Sequence, residues 1–349
     1  MKAAFHQSLP VSMAVLPSPT GFYCEYCSVP IRPSHKADLL LLVVTLLAAI
    51  SWMFSKEAVL AMPPLLFMSL RFLLAASLLA MAAHHQLRRL SGQQLLRCVR
   101  VGTVFGIAMS CWVMGLAMGE HVGEGAFLTS LGVVLVPVLG RLIFAEPVPG
   151  STWLALPVAA AGLALLSLDQ ELHLEAGQLF FVAAATIFAL YFNLNTRAAN
   201  PLSTRGTNGE SIEHPRVPAL ALTTIVLAVV GVLTGVLSAI FEPWQSVAAN
   251  ATPLLVLWVV LSATVGTALR FLVQTYAQSL SLHSHGVVIM VLEPMWTALM
   301  AAAWFGEQMT LLQLAGCALI FLSLLVNRWR AVRSLLKIFL TRIFVPTPK

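Results

Sequence analysis

Long apolar runs, separated by short polar segments, recur along almost the whole chain. They lie at roughly 39–59, 64–83, 101–118, 125–145, 152–168, 177–194, 217–240, 254–277, 286–305 and 309–327. A helix of about 20 apolar residues crosses the hydrocarbon core of a bilayer, where the backbone must satisfy its own hydrogen bonds. The pattern therefore predicts an all-α integral membrane protein with ten transmembrane helices.

The composition excludes a soluble protein. Of 349 residues, 59% are hydrophobic and only 10% are charged, whereas a soluble domain carries about 25% charged residues. The net charge is +6, but the basic residues gather in the tails and in two loops. They are therefore interpreted as topology signals that face anionic lipid headgroups, and no nucleic-acid partner is expected.

Lysine and arginine residues fall on one side of the predicted topology. They occupy both tails and the loops 84–100 and 195–216, whereas the intervening loops contain none: 119–124, 169–176, 241–253 and 306–308. By the positive-inside rule the basic side is cytoplasmic. We expect a multi-pass protein of the bacterial inner (plasma) membrane with both termini in the cytoplasm.

Three polar segments lie outside the predicted spans. Residues 1–37 are predicted to be a disordered tail, 195–216 a polar insert, and 328–349 a basic amphipathic helix on the inner leaflet. The tail contains Cys24 and Cys27 as a C-x-x-C pair. A metal site needs two further ligands and a redox motif needs a βαβ context, so neither a metal nor a cofactor is predicted, and a role for the pair is left open.

The two halves of the chain share a pattern. G-T-V-F-G at 102–106 and F-A-E-P-V at 144–148 correspond to T-V-G-T-A at 264–268 and F-G-E-Q-M at 305–309. Glu307 follows Glu146 by 161 residues, and the flanking apolar runs keep that offset. Each half, 38–168 and 177–327, then has five spans. Because five is odd, the second half is inverted, as in many secondary transporters, whose solutes bind near the midplane between the repeats.

Several segments resemble the drug/metabolite transporter superfamily, in its ten-span form with two tandem EamA domains. They are P-P-L-L-F-M-S-L-R-F at 63–72, W-M-F-S-K at 52–56, E-P-M-W-T-A-L at 293–299 and F-G-E-Q-M-T at 305–310. The resemblance covers about 38–327. It implies alternating-access transport of a small metabolite, such as an amino acid or derivative, with proton-driven export as the first expectation. The first-half turn reads A-E-P-V-P where G-E is common, which weakens any role for that turn.

Charged residues inside the spans are functional candidates because they are costly in lipid. Arg71 lies about 10 Å from the start of its span at 1.5 Å per residue, and Lys56 is shallower. One hypothesis places both in an electropositive outer vestibule that binds an anionic group of the solute. The alternatives are that both reach the headgroups, or that Arg71 pairs with Glu57 or Glu124.

Arg270 and Glu293 are predicted to lie at similar depth, on either side of the turn between the eighth and ninth spans. An ion pair is expected because a lone charge there would be costly. Such a pair either fixes the packing of the two helices or acts as an inner gate, with Glu293 exchanging a proton during the transport cycle.

Polar and aromatic residues within the spans supply further candidates. Trp52, Tyr191, Asn193 and Gln274 are predicted to contact the solute. The competing interpretation is structural, with rings in an aromatic belt and amides bonding to neighbouring helices.

No catalytic constellation is visible, and no enzyme is predicted. The expected partners are a small-molecule solute and membrane lipids, and a homodimer is left open. One alternative is a sugar-phosphate or nucleotide-sugar exchanger that uses Lys56 and Arg71 for a phosphate. Another is a membrane scaffold or lipid-handling protein that does not transport.

Overall fold

The structure is a computed structural model. It describes residues 35–145, 150–168, 175–199, 202–205, 211–214, 217–244, 252–274 and 292–327, together with 329 and 333. The predicted tail with Cys24 and Cys27, Glu146, and nearly all of the predicted C-terminal helix lie outside these residues.

Within the described ranges the chain forms ten helices, one for each predicted apolar run. They are α1 His35–Ala61, α2 Pro64–Leu87, α3 Gly92–Met118, α4 Val122–Phe144, α5 Gly150–Leu168, α6 Ala176–Ala199, α7 Ala219–Phe241, α8 Pro253–Gln274, α9 Glu293–Phe305 and α10 Leu311–Asn327. Among the described residues, α1–α4 and α6–α8 are long and apolar enough to cross a membrane. The predicted all-helical membrane fold is confirmed.

The polar insert contains two short strands that the sequence analysis did not predict. Leu202–Arg205 pairs antiparallel with Ser211–His214, with Leu202 opposite His214. Helix α6 also runs on to Ala199 and takes in residues that were assigned to this insert.

Helix α3 begins at Gly92, well before the predicted apolar run. The Ser91 hydroxyl accepts a hydrogen bond from the Gln94 backbone N–H at 3.3 Å, and the Gln94 side chain accepts one from the Ser91 N–H at 2.9 Å. This reciprocal capping box satisfies two of the free N–H groups at a helix start. It therefore extends α3 through polar residues that hydropathy alone excludes.

Helix packing repeats when each helix number is shifted by five. Helices α2 and α7 pack together, as do α5 and α10. The contact of α3 with α6 has its counterpart between α8 and α1, and that of α4 with α6 between α9 and α1. Helix α3 on α7 likewise corresponds to α8 on α2. The bundle is therefore built from two five-helix repeats, and each contact named here has a counterpart in which the helices of the two repeats are interchanged.

Glycine allows α7 to lie close to both α3 and α2. A Cβ atom on Gly102 of α3 would lie 2.7 Å from Cβ of Val229, and one on Gly231 of α7 would lie 2.7 Å from Cγ of Leu73. Small residues of this kind let membrane helices approach until their backbones are nearly in contact.

A proline inside α4 creates a polar contact between the repeats. Pro137 has no N–H, which leaves the Val133 carbonyl without its helical donor. Asn327 of α10 donates to that carbonyl at 3.2 Å and accepts from the Thr152 hydroxyl of α5 at 2.8 Å. One side chain therefore joins α4, α5 and α10.

Two carboxylates cap helices of the other repeat. Glu307, between α9 and α10, accepts from the N–H groups of Val122 at 2.7 Å and Gly123 at 3.2 Å, at the start of α4. Glu242, after α7, accepts from Leu65 at 2.7 Å and Leu66 at 2.9 Å, at the start of α2. A negative charge is favourable at a helix N-terminus. We call the face of the bundle that contains both caps the Glu307 face.

We expect Glu307→Ala to destabilise the protein by about 2 kcal/mol, because two N–H groups of α4 lose a charged acceptor. The measurement is the denaturant midpoint of the detergent-purified protein. The matched control is Glu120→Ala, since that exposed carboxylate caps no described helix. Equal midpoints for the two variants would contradict a capping role.

Candidate functional site

A π-helical turn in α8 organises the polar centre of the bundle. Residues Thr264–Leu269 are π-helical, and the Thr267 hydroxyl donates to the Ser262 carbonyl five residues earlier at 3.0 Å. Such turns are rare and occur frequently at functional sites. This one directs Thr267 and the Gly266 carbonyl towards α2, and Arg270 follows at its end.

Arg71 of α2 is held by three hydroxyl groups from two other helices. Its Nε donates to Thr267 at 2.6 Å, its Nη1 to Ser55 at 2.7 Å and its Nη2 to Ser51 at 2.7 Å. The Gly266 carbonyl lies 3.5 Å from Nη2. The guanidinium therefore ties α2 to α1 and to the π-helical turn of α8.

Arg71 does not reach the headgroups, because it is only 3% exposed. Among the described residues it forms no ion pair. The two carboxylates considered as partners are engaged elsewhere, since Glu57 accepts from Trp304 at 2.9 Å and Glu124 accepts from Gln178. A buried cation supported by neutral groups is unusual, and here the dense set of hydroxyls replaces the counter-ion.

Lys56 caps the C-terminus of α3. Its ammonium donates to the carbonyl of Leu116 at 2.9 Å and to that of Gly119 at 2.8 Å. A cation is favourable at a helix C-terminus, where carbonyl groups lack helical partners. Lys56 and Arg71 thus bind different elements, and the contacts do not combine them into one anion site.

The predicted ion pair is present. The Arg270 Nη2 lies 3.2 Å from Oε2 of Glu293, and both side chains are 20% exposed. The indole N–H of Trp52 points at the other oxygen of Glu293 at 3.4 Å. Glu293 is the first residue of α9, where the helix dipole favours its negative charge. The carboxylate therefore joins α8, α9 and α1.

Three buried polar atoms on α8 and α9 have no hydrogen-bond partner within the described part of the chain: Arg270 Nε, Gln274 Oε1 and Trp296 Nε1. Gln274 is one turn after Arg270, and Trp296 is one turn after Glu293. Unsatisfied buried groups are costly and rare in native proteins. Their position on the helices of the ion pair is typical of a site that binds a polar ligand.

Aromatic rings lie on two sides of the ion pair. Trp52 contacts Trp112 with ring centroids 4.7 Å apart and Phe181 at 5.9 Å. On the other side, Phe105 stacks on Tyr191 at 4.2 Å and meets Phe271, which lies beneath the Arg270 guanidinium. The structure therefore places Trp52 beside the ion pair and Tyr191 in its aromatic surround.

Asn193 has a structural role in this conformation. Its amide nitrogen donates to the Val136 carbonyl of α4 and to the Ala189 carbonyl of its own helix, both at 2.9 Å. Of the predicted solute contacts, Trp52 reaches the predicted coupling pair of Arg270 and Glu293, whereas Asn193 and Lys56 bind backbone groups elsewhere.

Sequence analysis missed the hydroxyls around Arg71 and the buried pair of Glu124 with Gln178. Ser51 and Ser55 are four residues apart, so they share one face of α1, and that spacing was an available signal. No local signal indicated that Thr267 would join them, because the π-helical turn sets its direction.

Comparison with known proteins agrees with this architecture. A model of the EamA-like transporter family matches residues 35–168 and 175–329. One solved structure, a crystal structure of a protein, aligns with a TM-score of 0.56 and 18% identity over 85% of this chain and 98% of the other. At that identity the likeness shows the fold alone. No curated protein matches the sequence.

We expect Arg71→Lys to destabilise the protein by about 2–3 kcal/mol. A compact ammonium cannot reproduce the fork that reaches three hydroxyls, and the loss of one hydrogen bond from a charged donor costs about 1.5–3 kcal/mol. The measurement is the free energy of unfolding in detergent. Arg100→Lys, at an exposed position of α3, is the control, and equal stability of the two variants would disprove the bridging role.

Proposed function

Because this chain belongs to the EamA-like transporter family, we propose that it is a secondary transporter that exports a small metabolite of the amino-acid class in exchange for protons. The Arg270–Glu293 pair carries the proposal. We assign Trp52, Gln274, Trp296 and Tyr191 to the surrounding solute site. Alternating access between the two repeats is the proposed transport cycle.

The ion pair suits a zwitterionic solute. An amino acid carries a carboxylate and an ammonium group on adjacent atoms, so it can insert between the two side chains. Its carboxylate would bind Arg270 and its ammonium would bind Glu293. Each side chain then exchanges one charged partner for another, and neither charge is left uncompensated within the membrane.

The same geometry explains proton exchange. A proton and the solute ammonium compete for Glu293, so the protein binds one or the other. Mutually exclusive binding at one carboxylate is the requirement for antiport. With protons more abundant outside, their entry would drive the solute outward.

The surrounding groups provide orientation. Arg270 Nε, Gln274 Oε1 and Trp296 Nε1 offer two donors and one acceptor to the polar atoms of a solute. The rings of Trp52 and Tyr191 provide flat apolar surfaces for its side chain. A few polar groups among aromatic walls are typical of small-molecule sites.

Conformational coupling follows from the helices that Glu293 joins. It contacts α8 through Arg270 and α1 through Trp52, and α1 belongs to the other repeat. Solute or proton binding at Glu293 therefore changes a contact between repeats. We propose that this contact is the gate on the cytoplasmic side.

No contact favours the phosphate-exchanger alternative. It relied on Lys56 and Arg71, whose nitrogens already bind backbone carbonyls and hydroxyls. The scaffold alternative predicts no solute flux in liposomes. We further propose a bacterial inner-membrane location with both termini in the cytoplasm, which makes the Glu307 face the outer one. An accessibility scan of single cysteines placed in the loops would test that orientation.

We expect Glu293→Gln to reduce amino-acid flux driven by a pH gradient by about tenfold or more. The change removes a charge-assisted bond worth about 1.5–3 kcal/mol and the group that exchanges the proton. The measurement is uptake of a panel of labelled amino acids into proteoliposomes with an imposed gradient. Glu57→Gln is the matched control, since that carboxylate binds Trp304 at an exposed position.

Three outcomes would contradict this function. Flux of Glu293→Gln equal to that of Glu57→Gln would remove the carboxylate from coupling. Wild-type flux that does not respond to the pH gradient would exclude proton exchange. Absence of flux for every amino acid would reject the solute class.

A further inference from the structure

A second buried carboxylate lies at the Glu307 face, away from the Arg270–Glu293 pair. Glu124 is the third residue of α4 and is only 5% exposed. Its Oε1 accepts a hydrogen bond from the Nε2 of Gln178, a residue of α6 that is 4% exposed. We call Glu124, Gln178 and the neighbouring His121 the Glu124 cluster.

Glu124 has an amide donor and a helix N-terminus close to its charge, but no described cation pairs with it. Among the described residues no arginine or lysine forms an ion pair with it. Two other carboxylates repel it: Glu175, before α6, and Glu307, in the α9–α10 turn. The nearby cation, Lys56 from α1, binds carbonyls of α3 and attracts Glu307 and Glu120.

Two further titratable side chains of the described chain are Cys317 and His121. Cys317 of α10 faces Glu124 as a buried thiol. His121 precedes α4. An isolated carboxylate among these groups is costly in a membrane protein, and binding a proton removes that cost.

Glu124 shares the N-terminus of α4 with a second carboxylate. Glu307 already accepts from the first two N–H groups of that helix. Two carboxylates at one helix end repel each other. The first two backbone donors of α4 therefore bind Glu307, whereas Glu124 has the Gln178 amide as its described donor.

The cluster is built to hold either protonation state. The Gln178 Oε1 is buried and has no hydrogen-bond partner among the described residues, and the same is true of His121 Nδ1. With Glu124 ionised, the Gln178 amide donates to it, as observed. With Glu124 protonated, rotation of the amide by half a turn lets Gln178 Oε1 accept from the new O–H. The pair therefore keeps one hydrogen bond in either protonation state, with Gln178 as donor to the carboxylate and as acceptor from the carboxylic acid.

Aromatic contacts connect the cluster with the ion pair. Gln178 and Phe181 are three residues apart, so they share one face of α6. Phe181 contacts Trp52, whose indole N–H points at Glu293. A change at Glu124 therefore has a short packed path to the coupling carboxylate.

We propose that Glu124 is a second proton-binding site, at the Glu307 face, which takes up a proton during the cycle and passes its effect to Glu293 through Phe181 and Trp52. Its role in transport rests on the proposed function, but proton binding itself does not. A metal ion is not the proposed ligand, because the described residues hold no group of three or more His, Cys, Asp or Glu side chains that could ligate one, and metal ions need more oxygen ligands than a carboxylate and an amide supply.

Infrared difference spectroscopy between acid and alkaline buffer tests proton binding directly. We expect wild type in liposomes to show a carboxylic-acid carbonyl band that Glu124→Gln lacks and Glu57→Gln retains. Gln178→Leu should keep the band but shift it to higher frequency, because the protonated carboxyl loses its hydrogen-bond acceptor. A spectrum of Glu124→Gln identical to that of wild type would overturn the proposal.

Transport assays separate this proposal from the proposed function. We expect Glu124→Gln to lose flux driven by the pH gradient while it keeps solute exchange at equal pH. If the wild-type spectrum contains the Glu124 band but Glu124→Gln transports with wild-type coupling to the pH gradient, the link to Glu293 is overturned and the proton site is kept. A Glu124 band in a protein with no amino-acid flux would overturn the proposed function alone. Flux driven equally well by a sodium gradient would overturn the proton as ligand.

Discussion

The buried guanidinium of Arg71 is the interaction on which the centre of the bundle depends. It donates to hydroxyls on α1 and to the π-helical turn of α8, while its own backbone belongs to α2. Membrane helices gain no hydrophobic free energy from contact with one another, so packing and hydrogen bonds must hold them together. A single cation with three polar partners fixes the register of three helices. It also holds the π-helical turn that positions Arg270.

The charged groups divide into those that hold the fold and those that remain available. Glu242, Glu307 and Lys56 cap helix ends, and each joins segments distant in the sequence. Arg270 and Glu293 instead bind each other, and polar atoms without a partner among the described residues lie on the same two helices. The presence of polar groups without hydrogen-bond partners, more than charge itself, distinguishes a candidate site from a structural contact. It explains why two of the predicted solute contacts, Lys56 and Asn193, turn out to bind backbone groups.

The inverted repeats relate these contacts to the proposed transport cycle. Corresponding helices make corresponding contacts, which is the symmetry that the proposed alternating access requires. Glu293 lies where α9 and α8 of the second repeat meet α1 of the first. In the proposed cycle, a ligand that alters its partners acts on a contact between the two repeats. Glycines such as Gly102 and Gly231 let α7 lie close to α3 and α2.

The sequence by itself determined the number of helices and the repeat, because those depend on the length and spacing of apolar runs, and it indicated the family through segments such as E-P-M-W-T-A-L at 293–299. It also located the Arg270–Glu293 pair, since two opposite charges at similar depth in lipid have few other groups with which they can pair. The start of α3 was encoded locally in Ser91 and Gln94 but not in hydropathy. Only the tertiary structure decided that Lys56 caps α3, that Asn327 donates to the carbonyl left free by Pro137, and that Arg71 is enclosed by hydroxyls. Those outcomes depend on which faces of distant helices meet, and the π-helical turn that rotates Thr267 and Arg270 into place is set by that packing.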